Sequence, residues 1–136
     1  MQSNILNITD LCQRLQNGTR LREDHVWVLA KQAFPQLCST NNTSGRRFGA
    51  LLQANALLDA LLFAVSALRP SVCLETMRRT GDGWMCSASF ANDAASWKAV
   101  GRHADLEGAV FIALFAILKR LRRIEMKTII NTVKEV

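Results

Sequence analysis

His103 and Asp105, two residues apart at the entry to an apolar segment, are the pair in this chain most suited to acid–base chemistry. A carboxylate that holds one imidazole nitrogen leaves the other free to take a proton. No nucleophile in a sharp turn, no pair of acids and no phosphate-cradling glycine loop accompanies them in the sequence, so a surface loop with a helix cap is the favoured reading. His25 falls in the first turn of an amphipathic segment, where partial exposure is expected. Asp59 interrupts an apolar run and needs only one hydrogen-bonding partner on a helix edge to be satisfied without any reaction. Cys12, Cys38, Cys73 and Cys86 form no CxxC pair and have no histidine at zinc-finger spacing, and each lies in or beside an apolar stretch. Reduced, buried thiols are expected, and no metal, cofactor or catalytic residue is assigned.

Charge is the other chemically informative feature. The chain carries a formal net charge of +6, spread over both halves, which favours weak attraction to nucleic acid or to acidic protein surfaces. Lys119, Arg120, Arg122 and Arg123 close the most apolar stretch, and Arg46, Arg47, Arg78 and Arg79 form two further pairs. These eight are the candidate phosphate or partner contacts. Trp27, just off the apolar stripe of its helix, and Phe48, beside Arg46 and Arg47, are the candidate aromatic anchors, since tryptophan and arginine are favoured at binding hot spots.

The elements that must position these residues are readable in part. Asp105 to Arg123 has no polar side chain between Ala109 and Leu118, so a helix there is buried almost all round. Asp105 is placed to cap it, Glu107 adds negative charge to its first turn, and the basic cluster suits the C-terminal end of its dipole. Ile8, Leu11, Cys12 and Leu15 predict a short helix closed by Asn17 and Gly18, and Val26, Leu29, Ala30 and Ala33 predict another over about residues 22 to 34. Residues 35 to 49 read as a polar connection, and Ala50 to Leu68 as one apolar helix. Asp59 near the centre of that run opposes membrane insertion by about +2.5 to +3.5 kcal/mol, so a buried helix of a non-membrane protein is expected.

From Ser71 the period becomes two. Gly81 and Asp82 form the turn of a predicted hairpin that pairs Arg79 with Trp84, Met77 with Cys86, Glu75 with Ala88 and Cys73 with Phe90, making Cys73, Met77, Trp84, Cys86, Ala88 and Phe90 the buried face. A third strand is predicted around Ser96 to Val100. Beyond Arg123 the apolar stripe changes phase to Ile129, Ile130, Val133 and Val136. Either the last helix bends near Glu125 to Lys127 or a separate helix occupies residues 125 to 136.

The expected architecture is a single α+β domain over residues 1–136, in the order helix-helix-helix-strand-strand-strand-helix, with a three-stranded antiparallel sheet sandwiched by helices (α/β/α). The paired N-terminal helices with Leu11 to Leu15 and His25 to Ala30, the run Ala56 to Leu61, the Trp-centred strand Gly83 to Ser89 and the alanine-rich last helix entered through Ala104, Asp105 and Leu106 resemble the phage ABA sandwich domain, a family of small phage and prophage proteins. The resemblance spans roughly residues 8 to 122. It implies origin and fold, and it carries no catalytic residues.

The expected function is that of a non-enzymatic prophage-type protein acting by protein–protein contact, with a host factor or with itself as a homodimer through the C-terminal segment. The alternative is a nucleic-acid-binding accessory that uses the basic patches. The first ten residues lack the basic and apolar regions of a signal peptide, so a cytoplasmic location is expected.

Overall fold

The computed structural model describes the backbone of residues 4–67, 72–91 and 96–135, and side chains of residues 8–67, 72–91 and 96–121. Four helices come first: α1 (Asn4–Gln16), α2 (Glu23–Ala33), α3 (Thr43–Gln53) and α4 (Leu57–Ser66), with a 3-10 turn, Pro35–Cys38, between α2 and α3. Strands β1 (Val72–Thr80), β2 (Gly83–Ala91) and β3 (Ser96–His103) then form one antiparallel sheet in the order β1-β2-β3, and α5 (Leu106–Glu135) closes the chain. The α+β class and the order of helices, three strands and a helix are those read from the sequence.

The layering follows from the apolar circumference of α5. Every residue from Gly108 to Leu114 is buried, which requires a partner on each side of the helix. One side is the sheet and the other is the group α1, α2 and α4. Of the first four helices only α1 makes more than marginal contact with the sheet, at β3. The long helix is therefore the middle layer. The expected sandwich had Ala50 to Leu68 covering the sheet; that segment instead covers α5, and among the described residues no helical layer covers the outer sheet face. Close approach of β3 to α5 depends on Gly101, whose Cβ would run into the backbone of Ala109 and lie 2.6 Å from the amide nitrogen of Ala113.

The predicted single helix over residues 50 to 68 is two. Asn55 adopts φ +59°, a left-handed conformation that asparagine tolerates better than most residues, and it ends α3 while α4 starts two residues later. The polar connection over residues 35 to 49 is likewise partly helical. Asn42 caps α3, its Oδ1 accepting from the Gly45 amide at 2.6 Å. Gly45 is required there because a Cβ would collide with the Ser39 carbonyl.

In the sheet the predicted pairing holds near the turn, with Arg79 opposite Trp84 and Met77 opposite Cys86, and then shifts by one residue at a bulge between Leu74 and Thr76. Glu75 is the extra residue. Beyond it Leu74 pairs with Ala88, Cys73 with Ser89 and Val72 with Phe90. The slip puts Val72 and Leu74 against the core and Cys73 on the open face, the reverse of the expected assignment. Met77 shares a row with buried Cys86 but is 38% exposed on the edge strand. Among the described residues no helix is long and apolar enough to cross a membrane.

Candidate functional site

Both histidines are buried and hold backbone groups, His103 at the entry to α5 and His25 at the start of α2. β3 extends to His103, three residues beyond its predicted end, so the imidazole sits at a strand terminus, only 8% exposed. Its Nδ1 accepts the backbone N–H of Asp105 at 2.9 Å, and its Nε2 lies 2.8 Å from the carbonyl oxygen of Thr19. A carbonyl can only accept, so Nε2 carries the proton and donates. Both nitrogens are engaged with backbone, and the carboxylate of Asp105 is not the partner. The ring clamps the start of α5 to the loop between α1 and α2. His25 plays a similar part at α2: its Nδ1 accepts the Arg22 N–H at 3.0 Å. It is as buried as His103 rather than partly exposed, and burial holds its pKa below the usual value.

The cysteines divide in two. Cys12 and Cys86 are buried, with thiols pushed up to about 11 by burial, a rise that Lys119 partly opposes at Cys12. Cys38 and Cys73 are exposed, contrary to the expectation that all four are buried. Asp59, expected at a helix edge, is exposed in the first turn of α4.

The predicted contact residues whose side chains are described lie on three separate elements, α3, β1 and α5. Arg46 and Arg47 lie on α3, which packs on the 3-10 turn and α4. Arg46 is held by the Thr40 carbonyl at 2.9 Å, and Arg47 lies over the Phe63 ring. Arg78 and Arg79 are on β1 and point to opposite faces: Arg79 covers Trp84 at 5.6 Å from the ring centroid, whereas Arg78 is on the open face. Lys119 and Arg120 are exposed on α5, and the side chains of Arg122 and Arg123 lie outside the described residues, as do those of the apolar line from Ile129 to Val136. Phe48 is fully buried and stacks edge-on against Trp27, with ring centroids 5.4 Å apart. It cannot serve as a surface anchor, because the helical start at Thr43 turns it inward. Trp27 is half-buried, and its Nε1 donates to Glu23 at 3.3 Å.

Two surfaces emerge that the sequence did not announce. On the open sheet face Arg78, Met85 and Arg102 form one cross-strand row, and Lys98 pairs with the bulge residue Glu75 at 3.3 Å. Val100, on the same face, is 49% exposed. At the β3 edge this face runs into an open groove of about 380 Å³ between α1 and α5. One wall is α1, through Cys12, Gln13 and Gln16. The other is α5, through Ile112, Phe115, Lys119 and Arg120, and Val100 contributes from β3. The helical spacing of Gln13 and Gln16 beside Cys12 was the available signal, but Val100 joins them only through the tertiary fold.

Chemically these surfaces offer cations, amides and apolar floor. Among the described residues no group of three histidine, cysteine or acidic side chains is placed to hold a metal ion. Comparison with known protein families, with curated proteins and with solved structures finds no match for this chain.

Proposed function

We propose that this chain is a non-enzymatic protein of the phage or prophage type that works by binding another protein whose contact surface is acidic. The observation that carries the reading is the open face of the sheet, where exposed Val100 and half-buried Met85 lie among Arg78, Lys98 and Arg102. Apolar area flanked by cations suits an acidic protein surface. A second copy of the chain would bring like charges together on this face. Self-association through residues 125 to 136 is an independent route, tested by light scattering before and after their deletion.

Nucleic acid is the second reading, favoured by the row that sets Arg78 and Arg102 on either side of Met85. The aromatic residues weigh against the single-stranded form of it. Phe90 and Trp97 stack on each other at 5.4 Å and pack against the core, and Trp84 lies beneath Arg79, so they do not form a base-stacking platform on the open face. Duplex binding through phosphates would weaken steeply with salt.

Replacing Val100 by a photo-cross-linking residue in the full chain, expressed in its native cell, separates the readings. Discrete adducts that survive nuclease support a protein partner. Adducts that nuclease removes, or none beyond those from the same probe at exposed Leu62, contradict it.

A further inference from the structure

The groove between α1 and α5 has two helical walls. On α5 its lining residues recur at i, i+3, i+4, i+7 and i+8 from Ile112 to Arg120, about 12 Å of helix at 1.5 Å per residue. On α1 Cys12, Gln13 and Gln16 face them. Two antiparallel or parallel ridges separated by an open trough are the geometry into which a third helix packs by ridges and grooves.

Charge fixes the character of that helix. Lys119 and Arg120 are both exposed, and among the described residues neither is in an ion pair. Among the described residues no carboxylate lines the groove. Asp10, on the same helix α1, is held by Arg14 at 3.0 Å. The apolar floor, formed by Ile112, Phe115 and Val100, thus has a cationic rim with no counter-charge among the described residues. We infer that this groove docks an acidic amphipathic helix of a partner protein, with apolar side chains on the floor and carboxylates on Lys119 and Arg120. The inference rests on the protein-binding reading above and goes further, in assigning the adjoining groove, which shares Val100 with the open face, and the form of the partner segment.

The probe is a synthetic amphipathic helix four turns long, with leucine at i, i+3, i+4 and i+7 and glutamate along both flanks. It is titrated into the isotopically labelled full chain and followed by amide shifts. The expected shifts centre on Gln13, Gln16, Phe115 and Lys119. Lys119→Glu combined with Arg120→Glu weakens binding tenfold or more, and a version of the peptide with lysine in place of glutamate does not bind. Gln16→Glu, at the facing wall, weakens it less. Equal binding of the lysine peptide, or of a proline-broken peptide of the same composition, overturns the inference. Shifts centred on Arg78, Lys98 and Arg102 overturn the groove while leaving an acidic protein partner standing. No shifts with the peptide, together with shifts on adding duplex nucleic acid, overturn both.

Discussion

The Nε2 of His103 donates to the carbonyl oxygen of Thr19, 84 residues earlier in the chain, at 2.8 Å. With Nδ1 accepting from Asp105, one side chain ties the end of β3 and the start of α5 to the loop after α1. Removing it leaves a donor and an acceptor without their partner in a part-buried setting. His103→Ala is expected to lower stability by about 2 to 3 kcal/mol in urea denaturation. Gly108→Ala should also destabilise, although alanine is the better helix former, because its Cβ would stand 2.5 Å from the ring atoms Cγ and Nδ1. If both variants unfold at the wild-type urea concentration, the clamp is not structural.

His25 gives the fold a pH dependence of known sign. Burial, the largest influence, lowers its pKa from 6.5, with Arg22 and Arg14 acting the same way and Asp24 opposing. A histidine depressed in the folded state leaves stability intact above about pH 6.5 and takes it away as pH falls through the folded pKa, because the unfolded chain binds the proton first. Asp24, held below 3.8 mainly by its hydrogen bond from Arg22, acts only at lower pH: its contribution is present above the ordinary carboxylate value and is lost on further acidification. The difference in urea midpoint between wild type and His25→Gln should therefore change between pH 8 and pH 5. A constant difference across that range would mean that the imidazole titrates alike in the folded and unfolded chain, and that burial does not hold its pKa down.

Thiol reactivity should separate the cysteines into two pairs. Cys38 and Cys73 are exposed and react with a disulfide reagent in the native protein; Cys12 and Cys86, buried and with thiols near 11, react only after denaturant is added. Four fast thiols under native conditions would contradict the packing of α1 against α5 and of β2 in the core.

Much of this architecture was legible because it depends on composition over several turns. The run from Ala109 to Leu118 announced a helix with no solvent side, and Gly81 with Asp82 announced the hairpin. The failures share a cause: each turned on a contact made by one residue. The bulge at Glu75 reverses the faces of Val72, Cys73 and Leu74, and alternation read along a single strand cannot detect a partner strand skipping a residue. Asn55 splits an apolar run through its own backbone conformation, against the helical propensity of its neighbours. Asn42 starts α3 inside a segment whose asparagines and serines also suit a loop, and in doing so turns Phe48 into the core. Burial all round α5 was read correctly, but not which layers bury it. That depended on Gly101, a residue whose use lies in the space it leaves empty.

Gly101→Ala tests that close approach. The added Cβ meets the Ala109 carbonyl and the Ala113 amide, both backbone atoms of a buried helix, so relief requires β3 or α5 to move. A loss of about 3 kcal/mol is expected from overpacking of this kind. Ala99→Gly, two residues away on the same face of β3, removes packing without adding a clash and should cost less. If Gly101→Ala is the milder of the two, the strand does not rest on the helix at this point.

Native-state hydrogen exchange on the full chain tests the central claim, that α5 is the middle layer of the domain. The amides from Val110 to Ile117 should exchange only when the whole molecule unfolds, with the same denaturant dependence as global unfolding, while those of α3 exchange through smaller openings. Exchange from Val110 to Ile117 as fast as in α3, independent of global stability, would mean that the helix has an open side, and the layering would be wrong.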